Sequence, residues 1–268
     1  MTKQAMAIES PVFILKQAWE FCRKDFKKLG LIYIIFNLPI TIITFFPIFN
    51  ITAGQKLNLV QVMGSILLLI VNSWGHITLL LSTSKDVVGQ NYSLGQSIKE
   101  AKNFLLKYIV LILSVVLIVL GFIVLVGIAA TVIFPLLLKT NRIVGIIFGS
   151  LLVIGVIITL VFYTLRWSLS GLTCVFENLR PLAALKHSFA LINKHTNRVV
   201  GVYGLIVLIY IVGLFPVILM GLLPGLGQSA RSSFNMGVTI YTTLMNTVFV
   251  PFWVMSVVVL YKKLKEAL

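Results

Sequence analysis

The groups in this chain that could do chemistry are few, and nearly all lie inside or beside long apolar runs. Asn37, Thr41 and Thr44 recur at helical spacing in one such run. Ser65, Asn72, His76 and Thr83 do so in the next, Thr159, Tyr163 and Arg166 in a later one, and Thr239, Thr243 and Asn246 in the last. Polar groups are costly in hydrocarbon, so such stripes have two readings. In the first, Asn37, Asn72, His76, Thr159, Tyr163 and Asn246 face a shared polar interior, with His76 as a proton-linked switch. In the second, they hold helices together by interhelical hydrogen bonds, helped by close approach at Gly145 and Gly149. Proton-coupled chemistry needs an ionised partner at mid-depth, and none is present, so the packing reading is the stronger for Thr, Ser and His76.

A second set sits at the ends of the runs. Arg166 closes one apolar stretch, where its guanidinium can snorkel to a phosphate or pair with an acid. Glu177 is the obvious acid, yet on an unbroken helix it lies about 16 Å further along, out of reach. A break near Ser168 to Gly171 would change that. Lys16, Lys99 and Lys186 occupy matching places on three short amphipathic segments and are candidates for contact with anionic headgroups.

No constellation of catalytic type accompanies these groups. The seven acidic residues offer no mid-membrane pair, no glycine-rich phosphate loop occurs, and no nucleophile stands in a recognisable motif. Two isolated cysteines, Cys22 and Cys174, with scattered His76, His187 and His195, do not make a zinc site, and no cofactor is expected. The expectation is a protein that is not an enzyme.

The elements that must position these groups follow from composition. Hydrophobic residues make up 59% of the 268 residues and charged residues 11%; the mean hydropathy is +1.06. Those values lie outside the range of a water-soluble domain. The 22 Lys and Arg against 7 Asp and Glu do not point to nucleic acid, because the charge falls between apolar runs and not on a soluble surface with stacking aromatics.

Six spans are expected, near residues 30–49, 59–82, 108–138, 143–167, 199–222 and 237–261, each long enough for a bilayer core that takes about 20 helical residues. The third is longer than an upright crossing needs, and Gly121, Gly127 and Pro135 are places for it to bend or end. Counting on alternate sides, 18 of the 22 basic residues fall together, leaving Lys56, Lys139, Arg142 and Arg231 opposite. Both termini are therefore expected in the cytoplasm. The first apolar run follows a charged stretch and lacks a small-residue cleavage pattern, so it should stay as an anchor. Both cysteines map to the reducing side, where no disulfide is expected.

The runs are organised as a threefold repeat within a single membrane domain, approximately 10–83, 93–167 and 180–261: a surface helix, then a two-helix hairpin. Aligning Lys16, Lys99 and Lys186 brings Leu15, Ile98 and Leu185 together, then Ala18, Ala101 and Ser188, then Lys24, Lys107 and Lys194. Ser93 and Asn178 stand where helix caps belong, and Pro11 and Pro181 suit first turns. An even number of crossings per copy relates the copies by rotation about the membrane normal and not by inversion. The fold class expected is thus an all-α integral membrane protein.

The stretch Arg166-Trp-Ser-Leu-Ser, with Val175-Phe-Glu177, Ala184-Leu-Lys-His-Ser188 and Asn197-Arg198, resembles a segment of a broad bacterial membrane superfamily. It includes the membrane domain of glycerophosphoryl diester phosphodiesterases and the YciC-like uncharacterised inner-membrane proteins. Ile14-Leu-Lys-Gln-Ala18 and Phe26-Lys-Lys-Leu29 look like its opening helix. The resemblance implies an integral domain of about six spans over essentially the whole chain. In the phosphodiesterases the catalysis belongs to a separate metal-dependent barrel, so no activity comes with it.

Two functions follow as expectations. One is a non-enzymatic protein of the cytoplasmic membrane, a scaffold or accessory subunit in envelope organisation, whose basic helices engage anionic headgroups and an unidentified protein partner. The same charges can also serve only to set topology. The alternative is a transporter or permease subunit for a small or lipid-like solute.

Overall fold

The computed structural model describes residues 10–44, 59–90, 92–221 and 228–267. Its elements there are all helices: α1 (Pro11–Lys24), α2 (Phe26–Thr44), α3 (Leu59–Val87), α4 (Leu94–Thr140), α5 (Arg142–Trp167), α6 (Ser170–Phe176), α7 (Pro181–Asn193), α8 (Thr196–Gly221) and α9 (Gln228–Glu266). Five stretches are long and apolar enough to cross a membrane, Leu59–Val87, Leu94–Lys139, Arg142–Phe176, Thr196–Leu219 and Gly237–Glu266, as a membrane protein requires. The first expected span, 30–49, begins in α2 and continues into residues outside those described.

Local chemistry accounts for the helix starts. Ser10 accepts a hydrogen bond from the Phe13 amide at 3.3 Å, and Pro11 begins α1 with its φ already set. Ser93 and Gln96 form a reciprocal capping box, Ser93 N donating to Gln96 Oε1 at 3.0 Å and Gln96 N to Ser93 Oγ at 3.3 Å. Asn141 Oδ1 accepts from the amides of Ile143 and Val144, so one residue separates α4 from α5. Asn178 departs from the expected role. Arg180 holds the cap position of α7, while Asn178 sits at φ 54° with its Oδ1 2.6 Å from Lys107 Nζ.

A second departure concerns the middle surface helix. It is continuous with the third span as the 47-residue α4. Between Ile98 and Val110 there is no glycine, proline or turn-forming pair, and residues such as Ala101, Leu105 and Leu106 favour helix, so nothing interrupts it. The outer copies do break, at Asp25 and at Lys194–His195.

The helices gather into two compact units, residues 1–106 with 195–268, and residues 107–194. In the first, Ile14, Ala18 and Cys22 of α1, Leu29 and Ile32 of α2, Ile77 of α3, and Met255, Leu260 and Leu264 of α9 are buried together. Gly75 lets α3 meet α2, since a Cβ there would lie 2.5 Å from Phe36 Cβ. In the second, Leu169, Leu172 and Cys174 around α6 bury against Ala184 and Ile192 of α7. The remainder of that unit is a bare hairpin, with Leu117 68% and Ile143 69% exposed. Each such side chain would lose about 1.5–3 kcal/mol of burial in water, which a lipid surround makes unnecessary.

Gly145 and Gly149 provide close approach in this hairpin, as their type suggested. A Cβ on Gly145 would stand 2.7 Å from Leu138 Cδ2, and one on Gly149 2.8 Å from Phe134 Cε2.

Candidate functional site

The most polar cluster of the second unit is built around Arg166, in the last turn of α5, and is 8% exposed. The helix stops at Trp167, two residues intervene, and α6 begins at Ser170, so the chain does break between Arg166 and Glu177. The break does not join them. Arg166 Nη1 donates to Asn193 Oδ1 at 2.5 Å, and its guanidinium lies between the rings of Phe162 and Phe189, 4.4 and 4.6 Å from their centroids. Its Nε is buried without a hydrogen-bond partner, and no carboxylate of the described residues pairs with it. Two aromatic faces and an amide thus carry the charge, an arrangement suited to a planar guanidinium and poorly to an ammonium.

Glu177 faces α7 instead, with Oε2 3.6 Å from His187 Nδ1. Two further bonds fasten α7 here. Ser188 Oγ donates to the Arg166 carbonyl at 2.7 Å, filling an acceptor that the end of α5 leaves open, and Thr173 Oγ1 donates to the Ala184 carbonyl at 3.2 Å. Tyr163 is exposed and stacks on Trp167, ring centroids 5.2 Å apart.

In the first unit the corresponding fastener is an ion pair. Lys28 Nζ of α2 lies 2.8 Å from Asp86 Oδ1 of α3, with the carboxylate side chain only 6% exposed. Twelve residues before Asp86 on α3, Trp74 Nε1 donates to the Ile98 carbonyl at 3.0 Å, tying α3 to the start of α4.

The residues of the polar stripes divide between the two units. Asn37, Asn72, His76 and Asn246 belong to the first unit, Thr159 and Tyr163 to the second. Asn72 is exposed, His76 and Asn246 are half-buried, and Asn37 Nδ2 donates to the Tyr33 carbonyl of its own helix at 3.1 Å. Hydroxyls follow the same rule: Thr41 donates to the Asn37 carbonyl, Thr159 to that of Gly155 and Thr243 to that of Thr239. These bonds run back one turn within each helix, because the i−4 carbonyl is within reach of a threonine.

Lys16, Lys99 and Lys186 are all exposed, and the residues two places on, Ala18, Ala101 and Ser188, are all buried. Each of the three helical segments therefore turns its lysine outward and its small residue inward. Cys22, on the inner face of α1, has its thiol pushed up to about 11 by burial and by the nearby Asp25 carboxylate. Both cysteines are free and buried. Sequence reasoning missed Asn193, Ser188 and the Lys28–Asp86 pair.

No protein-family model matches this chain, nor does any curated protein or solved structure.

Proposed function

We propose that the chain is a non-enzymatic scaffold or accessory subunit of the cytoplasmic membrane that engages anionic lipid headgroups through its basic amphipathic segments. The observation that carries this reading is the shared disposition of Lys16, Lys99 and Lys186, outward on segments whose opposite faces are buried. Long apolar helices with exposed Leu, Ile and Val supply the anchor. Six crossings with both termini in the cytoplasm, in three rotationally related copies, follow from the charge distribution and the repeat, and the superfamily resemblance agrees with that plan. Each basic residue near an anionic surface contributes about 1 kcal/mol, so three together favour anionic over neutral lipid by about 100-fold.

The test is extraction into nanodiscs from an equimolar mixture of phosphatidylglycerol and phosphatidylcholine, with mass spectrometry of the retained lipid. Wild type should be enriched in phosphatidylglycerol, and K16E/K99E/K186E should lose most of that enrichment while keeping its helical circular dichroism. Equal retention of both lipids by wild type would refute the reading.

A further inference from the structure

Within the first unit, α1, α8 and α9 leave an apolar groove of about 860 Å³, a volume in the range of small-molecule sites. On α9 its wall is a single stripe from Tyr241 through Met245 to Phe252, and on α8 it is Leu205, Ile209 and Gly213. The eleven steps from Tyr241 to Phe252 rise about 16 Å, close to half of a hydrocarbon core about 30 Å thick. The groove is as long as one leaflet.

Its two ends differ chemically. At the Phe252 end stand Lys16 and Trp19 of α1, the indole in edge contact with the Phe252 ring at 5.8 Å. A lysine beside a tryptophan is the pairing found at headgroup depth, where an amphipathic ring and a cation both reach the phosphates. At the other end Tyr241 donates to the Gly213 carbonyl at 2.7 Å. There Gly213 lies against the end of the Met245 side chain, and the Tyr241 bond joins α8 to α9 at that level. A groove open along its flank, cationic at one end and apolar along the rest of its length, is shaped for a chain with a negative head.

We propose that this groove binds one acyl chain of an anionic phospholipid, with Lys16 meeting its phosphate. The proposal rests on the lipid-engaging reading above and gives it one defined site. Lys99 and Lys186 lie outside this groove, so the two claims separate by experiment.

The experiment reconstitutes the full chain with phosphatidylglycerol carrying a diazirine midway along one acyl chain, followed by photolysis and peptide mapping. The expected result is adducts concentrated on Met245, Val248 and Ile209. I209W and V248W, each filling the groove from a different helix at an exposed position, should each reduce those adducts several-fold, with total phosphatidylglycerol enrichment preserved. K16Q should reduce them about fivefold, the loss of one lysine's attraction, and a phosphatidylcholine probe should label the groove correspondingly less. Adducts spread evenly over the exposed faces of α4 and α5, or unchanged by both tryptophan variants, would overturn the site even if overall enrichment persists. The absence of lipid adducts in the groove because a second protein helix fills it would overturn it as well.

Discussion

Ser188→Ala is the sharpest perturbation of the α5–α7 junction. Ser188 is fully buried, and its hydroxyl donates at 2.7 Å to the Arg166 carbonyl, which the end of α5 leaves without its usual helical donor. Alanine is smaller by one oxygen and suits a helix, so neither packing nor propensity opposes the change. What is lost is a hydrogen bond whose acceptor stays buried, a cost of about 1–3 kcal/mol. That loss falls on the docking of α7, which is also held by the Arg166–Asn193 bond, the Thr173 bond to the Ala184 carbonyl and the Glu177–His187 contact. If α7 exchanges its amide hydrogens by local opening, those of residues 184–192 should exchange about 5- to 150-fold faster in nanodiscs. Amides of α1 should be unchanged. A control on the exposed side of the same helix, Ala190→Ser, should shift exchange by less than about 0.5 kcal/mol equivalent. Unaltered protection of α7 in S188A would refute the assignment of Ser188 as a fastener.

Three further outcomes follow. In a double-mutant cycle of Lys28→Met and Asp86→Asn, D86N alone should cost about 2–4 kcal/mol, because it strands a partly buried ammonium, and the pair should show a coupling of about 1–3 kcal/mol, read from denaturant unfolding in detergent. Gly145→Val should cost about 1–3 kcal/mol by overpacking against Leu138, seen as a lower Tm, whereas the same change at Gly155, where nothing lies within 4 Å, should leave Tm nearly unchanged. Cys22, with its thiol held up to about 11, keeps its proton through neutral pH, so a maleimide should label it far more slowly than a cysteine placed at exposed Arg23; equal rates at pH 7.5 would contradict its burial.

Much of the fold is readable from residue type and spacing. Apolar runs interrupted by lysines locate α3, α5, α8 and α9, and local chemistry foretells the Ser93 cap, because a cap needs only its own first turn. The Gly145 and Gly149 contacts are visible for the same reason, lying on facing helices joined by a single-residue turn. The continuity of α4 is harder to see. Amphipathic spacing marks where a surface face begins, but only a breaker marks where it ends, and none lies between Ile98 and Val110.

The sites were less legible. Arg166 was expected to meet a phosphate or an acid; its hydrogen-bond partner is an amide 27 positions away on α7, a choice that depends on how α6 folds the chain back. Asn178 was assigned by its position before Pro181; its left-handed backbone and its bond to Lys107 come from tertiary placement. The groove is invisible for a similar reason. Its α1, α8 and α9 walls are ordinary apolar stripes in sequence, and only their arrangement puts Lys16 at one end.

The proposed lipid engagement requires Lys16, Lys99 and Lys186 to lie at headgroup depth on one face of the membrane. Single cysteines at those three positions, spin-labelled in phosphatidylglycerol-containing nanodiscs, should show comparable relaxation by nickel-chelating lipid placed in the same leaflet and intermediate access to oxygen. A label at any of the three that reports the hydrocarbon centre, bulk water or the opposite leaflet would contradict it.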